Sequence, residues 1–132
     1  MVTLTFETER KTQLLDITAS VCEAIARETG SVAVVFIRHT TAGIVLQASG
    51  ATATGVAPDV EGALERLVDE TWDWQHRDEG DRNPWAHVRA ALTASSVAIP
   101  LEDGEPALGD FQTIFLCEFD GPRRRRVLVS VV

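Results

Sequence analysis

Along the first 47 residues the apolar positions change period several times. Thr3, Thr5 and Glu7 flank Leu4 and Phe6, a period of two that predicts a half-buried strand continuing through residues 13–15. Asp16 and Thr18 are N-cap residue types, and Ile17, Val21, Ala24 and Ile25 recur at helical spacing up to a terminal Gly30, so an amphipathic helix follows. Val32-Ala33-Val34-Val35-Phe36-Ile37 is apolar throughout and predicts a central strand buried on both faces, with His39 emerging at its polar end. Gly43-Ile44-Val45-Leu46-Gln47 predicts the next strand, Gly43 being read as a bulge.

Residues 48–55 are small and polar and predict a loop light enough to close over a ligand. Val60, Leu64, Leu67 and Val68 then mark a helix with Glu61, Glu65 and Arg66 outward and Asp59 at its start. Asn83 followed by Pro84 reads as an N-cap and first helical residue, which places His87 one turn into a short helix ending near Leu92. Val97-Ala98-Ile99-Pro100-Leu101 is strand-like, and Glu102-Asp103-Gly104 is a turn. Phe111, Thr113, Phe115, Cys117 and Phe119 alternate with Gln112, Ile114, Leu116 and Glu118; Asp120-Gly121-Pro122 turns the chain, and residues 126–132 return as an apolar strand. These elements predict a single α+β domain, residues 1–132, of mostly antiparallel sheets packed with two to three helices.

At 132 residues the chain is long enough for one core but not two. Its net charge of −8 argues against broad nucleic-acid or anionic-membrane binding, because neutralising phosphates needs a basic face. No apolar run approaches the roughly 20 residues that span a bilayer. The charged residues among the first twelve leave no export signal to be read. Cys22 and Cys117, far apart in apolar surroundings, read as reduced core residues, which fits a cytoplasmic address.

Two segments change this picture. All three histidines lie in Arg38-His39-Thr40-Thr41 and in residues 76–87, which hold His76 and His87. Imidazole is a common metal ligand and titrates near neutrality, so this confinement predicts either an open three-histidine metal site or three unrelated solvated side chains. Trp72 and Trp74, two residues apart, either wall a pocket or close a core edge. Arg123-Arg124-Arg125-Arg126 is the one strong basic feature: a solvated strand edge, or an anion site in which alternate arginines such as Arg124 and Arg126 face one phosphate beside the Asn83 helix start.

The blocks His39-Thr40-Thr41-Ala42, Asp59, His76 with Asn83 and Ala86-His87, Pro100, Leu108-Gly109-Asp110-Phe111-Gln112, and Glu118 with Asp120-Gly121-Pro122 before arginines occur in the order seen in the YjbQ-like family. The chain resembles that family over nearly its whole length. The resemblance implies a secondary thiamine-phosphate synthase, joining a pyrimidine pyrophosphate to a thiazole phosphate with release of pyrophosphate. It also implies a homotrimer with pockets near subunit contacts. With the resemblance, His39, His76 and His87 are expected to bind one divalent metal ion, zinc before the oxygen-seeking magnesium, although magnesium suits a pyrophosphate leaving group. Asp59, Gln112 and Glu118 are the matched groups for catalysis and for orienting the imidazoles; Thr40, Thr41, Asn83, Arg124 and Arg126 are expected to bind the phosphorylated small molecule. Two positions depart from the family pattern. Gln47-Ala48 stands where the family typically has Asn-Glu, removing a carboxylate, and Ala94 stands where it usually has glycine. A phosphate-ester hydrolase and a non-catalytic ligand-binding oligomer are therefore the alternatives.

Overall fold

The computed structural model describes residues 1–49, 55–76 and 82–132. The predicted loop at 48–55 and the histidine segment at 76–87 thus fall partly outside the described residues. Among the described residues eight strands and three helices follow in order: β1 Val2–Glu7, β2 Gln13–Asp16, α1 Thr18–Ile25, β3 Val32–Ile37, β4 Ala42–Ala48, α2 Ala57–Leu67, α3 Pro84–Ala91, β5 Ser96–Glu102, β6 Glu105–Pro106, β7 Gln112–Glu118 and β8 Arg124–Val131. They form a five-stranded sheet ordered β1-β8-β3-β5-β6 and a three-stranded sheet ordered β2-β7-β4. Every strand pairing is antiparallel, so the expected α+β class holds.

The two sheets pack face to face. Ala33, Val35, Ile37, Ile99, Val127 and Val129 from the larger sheet meet Ile44, Ile114 and Leu116 from the smaller, with the N-cap Ile17 and Val21 and Ile25 of α1 closing the core. The spacing of those three residues is the helical stripe expected from the sequence. The back of the small sheet buries Leu14, Phe115, Cys117 and Phe119 against α2 and α3, which contribute Val60, Leu64, Trp85, Ala86 and Ala90. The small sheet is therefore the middle layer, and its central strand β7 is buried from Thr113 to Glu118.

Four expectations change. Strand β3 is not buried on both faces: its pattern alternates and Phe36 is 39% exposed, because the large sheet packs only one face, against the small sheet and α1, and leaves the other outward. The two-sided strand is β7. Residues 13–15 do not continue β1; β2 crosses to the small sheet and pairs with β7. Glu61 does not face outward, since it sits between Ala57 and Leu64 on the inner stripe of α2 and is buried. There it takes both terminal nitrogens of Arg10 at 2.9 Å and the Leu14 backbone N–H at 2.7 Å, which satisfies a carboxylate that burial would otherwise penalise. Gly43 is no bulge: it lies in register opposite Cys117, where a Cβ would come within 1.8 Å of Thr93 Oγ1.

A buried arginine was also missed. Arg89 on α3 is 1% exposed and donates through Nε and Nη2 to the Val68 carbonyl at 3.2 and 2.8 Å. That contact ties α3 to the chain just after α2, where unpaired carbonyls carry the negative end of the helix dipole. Cys117 and Cys22 are both unpaired thiols as expected, Cys22 only half-buried; burial pushes the Cys117 thiol up to about 12, which makes it inert as a nucleophile.

Candidate functional site

A cavity of about 330 Å³ opens between the β3–β4 connection and α3, lined by His39, Thr40, Ala42, His87, Ala90, Ala91, Thr93 and Ser95. His39 follows the end of β3. Its neighbour strand β8 runs on past Ile37, and at the next ladder position His39 Nε2 accepts the Arg126 backbone N–H at 3.0 Å. The imidazole thus stands in for a strand carbonyl. A nitrogen that accepts a hydrogen bond cannot carry the proton, so the neutral ring is protonated at Nδ1 and acts there as a donor. Burial lowers the His39 pKa below its ordinary value, and Arg125, Arg126 and Arg38 lower it further against a raising effect of Glu118. An anion entering the cavity therefore meets a locally positive corner in an acidic chain.

This shift has a sign that can be tested. The unfolded chain protonates His39 near pH 6.5 while the folded chain resists, so the stabilising contribution is present above that value and lost as pH falls through the lower folded value. Glutamine at position 39 still accepts from an N–H but does not titrate. The His39→Gln variant is expected to lose less melting temperature than the wild type when the pH is lowered from about 7.5 to about 5.5. Equal losses, measured by circular dichroism melting, would show that His39 is not coupled to folding.

His87, carried by the second turn of α3, lies in edge-on contact with His76, their ring centroids 5.2 Å apart. The structure therefore brings His76 to His87 and His87 to the cavity of His39, and His87 is the shared member. Among the described residues no three histidine, cysteine or carboxylate side chains are grouped to hold one metal ion. His39 also has its Nε2 lone pair engaged by the backbone, so the three imidazoles do not form a ready-made centre.

The other expected residues divide by position. Thr40 lines the cavity. Thr41 is buried, and its hydroxyl accepts from Arg125 Nη2 at 2.7 Å. Glu118 is fully buried; it takes Arg125 Nε at 2.7 Å and Nη2 on its other oxygen, the Thr8 hydroxyl at 2.9 Å, and the Phe119 and Asp120 N–H groups at 2.9 Å. Every acceptor direction of this carboxylate is used, which suits an anchor better than a proton carrier. Asn83 occupies the N-cap position of α3 and Pro84 the first turn, but its side chain does not cap; Nδ2 donates to Asp120 at 2.7 Å, and its buried Oδ1 has no partner. Asp59 is an exposed residue in the first turn of α2, and Gln112 is exposed with its Oε1 accepting the Gly109 N–H at 2.8 Å; neither lines the cavity. Of the four arginines, Arg125 points inward with Val127 and Val129. Arg123 pairs with Asp120 and Arg124 with Glu7, each at 2.6 Å. Only the exposed Arg126 side chain has no counter-ion among the described residues.

The class these features define is a small two-sheet α+β protein with a histidine-lined cavity between the end of a sheet and a short helix. Comparison with known proteins makes the assignment specific. Residues 2–132 match the family described as UPF0047 protein YjbQ-like, and the chain belongs to that family. It is 35% identical to the UPF0047 protein YugU of Bacillus subtilis, over 98% of this chain and 97% of that one. It is likewise 35% identical to UPF0047 protein MJ1081 of Methanocaldococcus jannaschii, over 96% and 89%. A crystal structure of an uncharacterised YjbQ/UPF0047 protein from Clostridium acetobutylicum superposes with a TM-score of 0.90 at 34% identity, all of both chains being covered. A conserved hypothetical protein of Thermus thermophilus superposes at 0.87, again with 34% identity over both whole chains.

Proposed function

We propose that this protein is an enzyme acting on a phosphorylated small molecule in the cavity between His39 and His87, with thiamine-phosphate synthesis as the first reaction to test. The supporting observation is the His39 corner: a neutral imidazole with its donor nitrogen free, surrounded by Arg38, Arg125 and Arg126 and facing a second imidazole across the cavity. Nδ1–H of His39 and the Thr40 hydroxyl donate to phosphate oxygens, Arg126 supplies charge, and His87 moves a proton or orients the acceptor. A divalent ion belongs to the proposal as the partner of His76 and His87, whose nitrogens suit zinc better than magnesium. Such an ion would offset phosphate charge. The location is cytoplasmic in this reading, and among the described residues no helix is long and apolar enough to cross a membrane.

The protein is further proposed to be a homotrimer. The outward face of the large sheet carries Val34, Phe36, Leu128, Ala98 and Pro100, outside both core clusters. An apolar face of that kind is covered in a closed oligomer more often than left in water. Light scattering should then give about three times 14.4 kDa.

The experiment for the reaction mixes purified protein with pyrimidine pyrophosphate, thiazole phosphate and either zinc or magnesium, and follows thiamine phosphate and released pyrophosphate. The His87→Ala variant should lose roughly a hundredfold in kcat/KM, the scale of a positioned acid–base group. A second reading, a binding member without catalysis, is favoured by one observation: among the described residues no carboxylate lines the cavity. Calorimetric binding of thiazole phosphate without product formation would establish that reading and end the first.

A further inference from the structure

All three tryptophans of the chain line one further cavity, of about 380 Å³, together with His76, Arg82 and Pro84. Among the described residues it shares none with the lining of the His39 cavity, and its one link to the reaction proposed there is His76. Trp72 and Trp74 are stacked, with centroids 5.4 Å apart and 27° between the planes, and Trp74 Nε1 donates to the Glu70 carbonyl at 3.3 Å, which fixes that ring. Trp85 is held on α3, packed against the back of the small sheet.

Neither Trp72 nor Trp74 belongs to a core cluster, and Trp72 is 52% exposed. Two large indoles kept at a cavity without burying a core are a platform on which a flat ring can stack. The volume is within the range of small-molecule sites. Charge narrows the ligand. Arg82 is exposed at the cavity with no ion pair among the described residues, whereas Lys11, 5.7 Å from the centroid of Trp85, is paired with Glu70 at 3.3 Å. The guanidinium of Arg82 disfavours a quaternary ammonium, the other common guest of tryptophan walls, and favours an anionic substituent.

We propose that the Trp72, Trp74 and Trp85 cavity is a binding site for a planar aromatic ring bearing a phosphate or carboxylate, with the ring on the indoles and the anion on Arg82. The site does not rest on the reaction proposed for the His39 cavity.

Because every tryptophan of the chain lines this cavity, indole fluorescence excited at the red edge reports its occupancy directly. Adenosine monophosphate is the probe. It should quench saturably, adenosine should bind more weakly, and ribose 5-phosphate, which lacks the ring, should not quench. The Trp72→Ala variant should raise the dissociation constant roughly tenfold, as loss of one stacking partner does. Arg82→Gln should weaken adenosine monophosphate while leaving adenosine unchanged. Both residues are exposed, so the fold should survive, and His39→Ala should leave the affinity as it was. The proposal is overturned by absence of saturable quenching up to about 5 mM, which is barely millimolar affinity. It is equally overturned if tetramethylammonium binds more tightly than the nucleotide, or if Arg82→Gln affects adenosine as much as its phosphate.

Discussion

Arg125→Met is expected to lower the unfolding free energy by about 3–5 kcal/mol, the usual result of removing one partner from a buried ion pair. The side chains of Arg125 and Glu118 are 4% and 0% exposed, and the guanidinium grips both carboxylate oxygens and the Thr41 hydroxyl. Without it Glu118 keeps only the Thr8 hydroxyl and two backbone N–H groups, and a charge is left inside the protein. Domains of this size are stable by about 5–15 kcal/mol, so the variant would be folded only marginally. A urea midpoint gives the measurement. Arg124→Met is the control, because its pairing with Glu7 is exposed and worth less than about 1 kcal/mol. Adding Glu118→Leu to Arg125→Met should recover part of the loss, since the stranded charge is then gone. Arg125 lies on β8 of the large sheet and Glu118 on β7 of the small one, so if Arg125→Met and Arg124→Met shift the midpoint equally, the buried pair does not hold the sheets together.

Gly43→Ala is the second large effect, expected at about 1–3 kcal/mol, the range for overfilling a packed interior. The added methyl would meet Thr93 Oγ1 at 1.8 Å and Cβ at 2.9 Å. Thr93 cannot yield freely: its hydroxyl donates to the Ala90 carbonyl at 2.7 Å, and the next residue, Ala94, exchanges backbone hydrogen bonds with Ile44. Because Thr93 also lines the His39 cavity, the substitution should weaken phosphate-ester binding as well as stability. Thr93→Gly in the same chain removes both clashing atoms and should restore much of the lost stability. A double variant as unstable as Gly43→Ala alone would locate the clash elsewhere.

Periodicity made the scaffold legible. Ile17, Val21 and Ile25 announced α1, and the alternation along residues 111–119 announced β7. What stayed hidden was mostly polar and buried. The phase that puts Val127 and Val129 inside also puts Arg125 inside, and Glu118 shares the phase of Ile114 and Leu116. The clue existed, but a charged residue on an apolar phase reads as an interruption unless its partner is known. Glu61 was missed in the same way, on the stripe between Ala57 and Leu64. The division into two sheets was beyond periodicity, because no apolar pattern says which sheet a strand joins, and β1 and β2 separate only through their partners, β8 and β7. Of the site, the placement of His87 on a Pro84-started helix was readable, and so was the emergence of His39 from β3. The role of His39 as a ladder acceptor for Arg126 was not, since it depends on a strand 87 positions away. The convergence of Trp85 on Trp72 and Trp74 likewise needs the tertiary fold.

The last strand of the chain is an inner strand of the large sheet, clasped between the first strand and β3. Synthesis runs from the amino end, so β1 and β3 emerge with a gap between them that only residues 124–131 can fill. Until then the edges of β1 and β3 that pair with β8 stay open, and the core lacks Val127 and Val129. The domain can therefore close only once residues 124–131 have been made, and pairing strands so far apart in sequence makes that step slow compared with a fold of local hairpins. For the same reason a nascent chain stopped short of Arg124 is an aggregation hazard, whereas most single-residue losses from the surface are not.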